Sequence, residues 1–124
     1  MNVVDSSGWL EYFADAPNAN FFAPAIESVT ELLVPSISIY EVFKRIDLQK
    51  GEDDALRAVA VMLQGSPVDL DAALALSAAK VSLDLKLPMA DSIMLATAQS
   101  FGATLWTQDA DFKNIVDVRY IEKK

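Results

Sequence analysis

Asp5, Glu41, Asp91 and Asp109 are the side chains of this 124-residue sequence best placed by type and spacing to do chemistry. Cysteine and histidine are both absent, so disulfides, thiolate nucleophiles, His-based triads and His- or Cys-ligated zinc are excluded. What chemistry there is must run on carboxylates, hydroxyls, Lys, Arg or a bound ion. The stretch from Leu105 to Phe112 is the densest source: a short apolar run delivers Thr107, Asp109 and Asp111 into a turn, and the aromatic Phe112 anchors the exit. Two carboxylates two residues apart repel each other, so their grouping needs free solvation or a nearby cation.

The elements around these acids are predicted to bring them to one rim. Met1 to Val4 reads as a buried strand that stops at Asp5-Ser6-Ser7-Gly8, a sequence suited to capping a helix. A short helix with Trp9, Leu10, Tyr12 and Phe13 follows, then a second from about Asn18 to Ser28. Leu32 to Pro35 is the next strand, and a helix from Ser38 carries Ile39, Val42, Phe43 and Ile46 on one stripe. That places Glu41 in the helix's first turn. Gly51 ends it, and Glu52-Asp53-Asp54 opens a further helix to about Gln64, with negative charge where the helix dipole favours it. Val68 to Leu70 is at most a short strand, and Asp71 to Leu85, rich in Ala and Leu on nearly all sides, is expected to be a largely buried helix. Pro88 restarts the chain into a helix from about Met89 to Phe101, with Asp91 in its first turn and Gly102 as its C-terminal cap. Thr104 to Thr107, a helical turn over Ala110 to Asn114, and a strand over Asp117 to Ile121 complete the chain.

Short strands separated by helices imply right-handed crossovers and a mainly parallel sheet covered on both faces, in one domain spanning residues 1–124. In such sheets ligands sit outside the carboxyl ends of the strands, where strand order reverses. Asp5 and Asp109 each follow a strand, and Glu41 and Asp91 each open a helix, so all four acids are expected on the same rim. Four converging carboxylates are driven towards protonation unless a cation compensates. Mg²⁺ or Mn²⁺ suits this donor set, as a hard ion that takes oxygen ligands and keeps several waters. The reaction class that such a site serves is in-line displacement at phosphorus, phosphodiester hydrolysis above all.

Each acid also has a plain structural reading. Asp5 could cap the helix that follows it. Ser38 and Glu41 have the spacing of a capping box, Asp91 could complement a helix dipole, and Asp109 or Asp111 could be turn residues. Asp91 shares a face with Met94, Leu95 and Ala98, where an unpartnered charge is costly. These readings are independent of one another, whereas a metal site explains all four positions together. Thr107 and Ser6 are candidate supporting hydroxyls, and Lys44 and Arg45 are candidate contacts to RNA phosphates.

The net charge of −8, from 18 acids and 10 bases, runs against the basic footprint usual for nucleic-acid binding, unless bound cations cancel part of it locally. The apolar fraction of 52 % supports a compact core. No apolar run approaches the roughly 18 residues that cross a bilayer, and no signal-peptide pattern opens the chain, so a soluble, cytoplasmic protein is expected.

Val4-Asp5-Ser6-Ser7, Ser38 to Glu41 after a strand, Ala90-Asp91 opening a helix, and Thr107-Gln108-Asp109-Ala110-Asp111-Phe112 near the end together resemble the PIN-domain family, and within it the VapC-type toxins of toxin–antitoxin modules. The resemblance covers essentially the whole chain. It implies a three-layer α/β/α sandwich and a Mg²⁺- or Mn²⁺-dependent endoribonuclease, commonly a homodimer, held in check by a cognate antitoxin. The family's acids carry over onto Asp5, Glu41, Asp91 and Asp109, with Asp111 as a candidate fifth, and its hydroxyl onto Thr107. Ser6 stands where many relatives have Thr, and it keeps the hydroxyl. Two alternatives compete: a PIN-like module that binds protein without catalysis, and a phosphoacceptor receiver domain. The latter needs paired acids after its first strand and a Lys after its last, and neither is present.

Overall fold

The computed structural model describes residues 1–124. Its centre is β1 (Asn2–Val4), a three-residue strand whose Val3 and Val4 are fully buried on opposite faces. β2 (Leu32–Pro35) pairs with one edge of β1 and β4 (Thr104–Thr107) with the other, while β3 (Ser66–Val68) and β5 (Val118–Tyr120) close the two ends. All four pairings are parallel, in the order β3-β2-β1-β4-β5. The chain therefore moves outward in one direction as far as β3, then crosses β1 to start again at β4. This order differs from the 2-1-3-4-5 of flavodoxin-like receiver folds.

Alternation along the strands sorts the core into two layers, because successive side chains point to opposite faces. Val4, Leu32, Val34 and Trp106 pack with α1 (Ser6–Phe13), α2 (Ala19–Glu27), α3 (Ser36–Lys50) and α4 (Glu52–Met62), where Trp9, Phe22, Val42 and Met62 are buried. Val3, Leu33 and Leu105 face the other way and meet Met94, Leu95 and Ala98 of α6 (Met89–Ser100), together with Phe112. The result is the α/β/α sandwich. Gly8 allows the closest contact in it: a Cβ there would lie 2.6 Å from the Phe22 ring and 2.8 Å from Val4, so α1 can lie directly on β1 only without a side chain.

Three expectations are corrected. The helix after β2 starts at Ser36, not Ser38, with Pro35 at the cap position (φ −60°). Ser38 therefore lies inside α3, where its hydroxyl meets the Met94 sulfur at 3.1 Å, and no capping box forms. Glu41 moves from the first turn to the second. The second correction concerns α5 (Ala72–Leu85), which buries only Leu74 and Ala78, against Ile93 and Ala96 of α6. Leu76 and Leu83 are 75 % and 79 % exposed, because α5 packs at the flank of the sandwich and has a neighbour on one side only. Asp71 caps it by accepting the Leu74 N–H at 2.8 Å. The short strand near Val68 lies slightly earlier than its apolar residues suggest, at Ser66–Val68.

Candidate metal centre

The strand order reverses between β1 and β4, and the register there sets Val4 beside Trp106. The next residue on each strand, Asp5 and Thr107, therefore emerges at the same point of the carboxyl rim. The Asp5 N–H continues the ladder to the Trp106 carbonyl at 3.0 Å, and the Thr107 hydroxyl donates to the Asp5 carboxylate in a short hydrogen bond. Thr107 Oγ1 also accepts the Asp109 N–H at 2.9 Å. One fully buried hydroxyl thus ties the two acid-bearing turns together.

Asp5 is 4 % exposed. It also caps α1, accepting the Ser7 N–H on its carboxylate. The capping role expected from the sequence is thus present at this position. Burial pushes its carboxyl above the ordinary value, the hydrogen bonds from Thr107 and Ser7 pull it down, and the charge of Asp109 adds to the rise. Glu41, projecting from the second turn of α3, accepts the Ser6 hydroxyl at 2.7 Å. Asp109 caps the 3₁₀ turn Ala110–Phe112 by accepting the Asp111 N–H at 2.9 Å.

Asp91 stands in the first turn of α6, half-buried and without a hydrogen bond to its carboxylate. Burial pushes it up to about 7, helped by the negative charges of Asp109, Asp5, Asp111 and Glu41 in that order. The other four acids singled out in the sequence therefore all lie close enough to act on Asp91. Carboxylate oxygens of Asp91, Asp109 and Asp111 lie within 4.8 Å of one another. Asp111, exposed and last in sequence, belongs to this inner group along with Asp109. An all-oxygen donor set of closely spaced carboxylates, one of them half-buried and without a hydrogen-bond donor, fits a hard divalent cation.

Lys44 and Arg45 do not act as a pair. Lys44 sits over the Tyr40 ring at 5.6 Å in a shallow depression with Phe43, Leu48 and Leu56. Arg45 lines a separate cavity between α1, α3 and α4.

Three polar residues near the site carried no signal in the sequence beyond their own polarity. Glu11, on an otherwise aromatic and aliphatic helix, is buried. Its carboxylate accepts the Asn18 N–H at 2.8 Å and the Gln108 Nε2 at 3.0 Å. Asn18 Nδ2 in turn donates to Gln108 Oε1 and to the Glu122 carbonyl, both at 3.0 Å. Gln108 lies between Thr107 and Asp109, so this network holds the turn that carries Asp109 against α1. A charge within an apolar helix was the available clue. Its partner Gln108, 97 residues away, was not legible.

The chain matches the PIN-domain family model over residues 3–118. No curated protein sequence matches it. Among solved structures it is similar to a toxin–antitoxin complex from Klebsiella pneumoniae, at 22 % identity over 95 % of both chains with a TM-score of 0.80. It is also similar to VapC20 of Mycobacterium tuberculosis, a sarcin-ricin loop cleaving toxin, at 19 % identity over 96 % of this chain and 99 % of that one, with a TM-score of 0.77. VapBC2 from Rickettsia felis, bound to a promoter DNA fragment, matches at 16 % identity over 98 % and 97 %, with a TM-score of 0.74. The receiver-domain alternative falls with the family match and the strand order. No helix is long and apolar enough to cross a membrane. With its parallel five-stranded sheet, its flanking helices and a family match over nearly its whole length, the chain belongs to the PIN-domain family.

Proposed function

We propose that this protein is a metal-dependent endoribonuclease, the toxin of a type II toxin–antitoxin pair, which hydrolyses RNA phosphodiester bonds with Mg²⁺ or Mn²⁺. The observation that carries this reading is the convergence of Asp91, Asp109 and Asp111 at the strand switch point, beside Asp5 and Glu41, in a chain that belongs to the PIN family. Asp5, Glu41, Asp91 and Asp109 are the catalytic carboxylates in this reading, and Asp111 joins them as a further metal-holding group. The bound cation would supply Lewis-acid activation of a water and charge stabilisation at phosphorus.

The chain's own part is positioning. Thr107 and Ser7 fix the Asp5 carboxylate, Ser6 orients Glu41, and the Thr107 contact to the Asp109 backbone sets the spacing between the two strand ends. These groups hold the acids in place before any ligand arrives, so little reorganisation is left for the reaction itself. A cognate antitoxin is the protein partner, supported by the toxin–antitoxin complexes among the similar structures. A homodimer in the cytoplasm completes the reading, and exposed Leu76 and Leu83 are apolar surface available to it.

The test is incubation of the purified protein with cellular RNA and Mn²⁺ or Mg²⁺, followed by mapping of the new RNA ends. Discrete cleavage that disappears in Asp5→Asn and Asp91→Asn is expected. Cleavage that persists in both variants or in excess chelator would overturn the mechanism, and a protein that binds its antitoxin but cuts no RNA would be a binding module.

A further inference from the structure

Ser38, Ser92 and Thr97 are buried hydroxyls inside α3 and α6, the two helices that carry Glu41 and Asp91. A buried hydroxyl needs an acceptor, and within a helix the nearest is a carbonyl of the preceding turn. Ser92 and Thr97 take it: Ser92 donates to the Met89 carbonyl and Thr97 to the Ile93 carbonyl, both at 2.7 Å. Ser38 does not. Its hydroxyl leaves α3 and donates to the Met94 sulfur of α6 at 3.1 Å, although a thioether accepts only weakly. Such a bond adds nothing to α3 alone, and what it fixes is the distance between the two helices.

α3 and α6 belong to opposite layers of the sandwich, and no other side-chain hydrogen bond joins them. Ile37, next to Ser38, packs against the apolar cluster that holds Met94. Each end of this joint lies one helical turn from an acid of the candidate metal centre: Glu41 follows Ser38 by three residues, and Asp91 precedes Met94 by three. Residues three apart share a helix face, so the joint lies beside the gap between the two carboxylates. The Glu41 charge acts on Asp91 across that gap. The Asp91 carboxylate accepts no hydrogen bond of its own, so its place relative to Glu41 depends on where α6 lies.

We infer that Ser38 and Met94 are positioning residues of the metal centre: they set the spacing of α3 and α6, through it the span from Glu41 to Asp91, and so the size of cation the carboxylates accept. The inference rests on the metal-dependent reading of the proposed function and adds to it the pair that tunes ion choice. Oxygen ligands lie about 2.0–2.1 Å from Mg²⁺ and about 2.3–2.6 Å from Ca²⁺. A change of roughly a few tenths of an ångström in the span therefore shifts the balance between the two ions.

The measurement needs no RNA. Mn²⁺ binding to the full-length protein is followed by the electron paramagnetic resonance signal of the free ion, and Mg²⁺ or Ca²⁺ is titrated in as competitor. The variants are Ser38→Ala, which removes the hydroxyl, Met94→Leu, which removes the sulfur at nearly constant volume, and the two combined. Each single variant is expected to weaken Mg²⁺ about tenfold, the low end for groups that orient metal ligands, and Ca²⁺ by no more than about twofold, so that the Mg²⁺/Ca²⁺ affinity ratio falls about fivefold. The double variant should match the singles, because one contact is lost in all three. Thr97→Val removes a buried hydroxyl bonded only to its own helix, and it should lower the thermal midpoint while leaving the ratio unchanged.

An unchanged ratio in both single variants would overturn the inference. Equal weakening of the two ions, as a merely structural role would give, would also overturn it, as would single effects that add in the double variant or an unmodified protein that binds no divalent ion. Failure of the ribonuclease reading looks different: a protein that cuts no RNA but shows the fall in ratio keeps its positioning pair. RNA cleavage with an unchanged ratio sinks the pair alone.

Discussion

The two halves of the carboxylate cluster are built differently. Asp5 and Glu41 are wired: Thr107 and Ser7 donate to the first, which sits where strand pairing puts it, and Ser6 donates to the second. Asp91, Asp109 and Asp111 form the open half. Their oxygens face one another within 4.8 Å, the Asp91 carboxylate has no hydrogen-bond donor, and only Asp109 is engaged, by the Asp111 N–H. The hydrogen bonds of the wired half exist without a ligand, although burial still holds the Asp5 carboxyl above its ordinary value. The open half has charge left for a cation to neutralise, and Asp91 is pushed up to about 7 by burial first and then by the neighbouring carboxylates. In the proposed reading, one half would set the geometry and the other chiefly the metal affinity.

Substitution in the open half should have the largest effect. Asp91→Asn is expected to lower RNA cleavage by at least about a hundredfold, more than changes in outer-shell groups usually cause. The same change should raise the thermal midpoint of the metal-free protein at pH 8, since it removes a charge repelled by four neighbours. A falling midpoint would show that the two halves do not differ in the way described. Thr107→Val comes next: it leaves a buried carboxylate short of a donor, and an activity loss of about 10- to 100-fold is expected. Chemical denaturation should show a stability loss of about 2 kcal/mol. Full activity in this variant would mean that the wired half needs no wiring.

A pH titration sharpens the comparison further. The Asp91 carboxyl takes its ordinary value of 3.8 when unfolded and about 7 when folded, so between those values only the folded state holds the proton. The contribution of this group to the stability of the metal-free protein is therefore full below about pH 4 and is lost as pH rises through 7. Mn²⁺ affinity, measured calorimetrically, should climb by up to about tenfold per pH unit below 7 and level off above it, as metal displaces one proton. A flat profile would remove Asp91 from the metal-holding set. Ser6→Ala should have the smallest effect, a few-fold loss in cleavage rate and about 1 kcal/mol of stability, because its bond to Glu41 is only partly buried.

Local chemistry made a large part of this molecule readable. The acids at strand ends were legible because β1, β2 and β4 are short apolar runs with abrupt polar exits, and Asp91 because it opens a helix whose face is otherwise Met94, Leu95 and Ala98. The start of α3 was misplaced by two residues because Ser38 imitates a cap, whereas Pro35, with a backbone angle already set near that of a helix, begins the turn earlier. The exposure of Leu76 and Leu83 was not legible either. A helix that is apolar all round gives no sign of how many neighbours it will find.

The sequence by itself determined the α/β class, the absence of thiol and imidazole chemistry, and the residues that would have to share a site if one existed. Tertiary structure alone decided the register of Val4 on Trp106, which puts the Asp5 carboxylate within reach of the Thr107 hydroxyl. It also decided the meeting of Glu11, Asn18 and Gln108, and the separation of Lys44 from Arg45 onto different sides of α3. The physical reason is range. Propensity, capping and periodicity act over a few residues, while the strand order and helix packing that gather five carboxylates act across the whole chain.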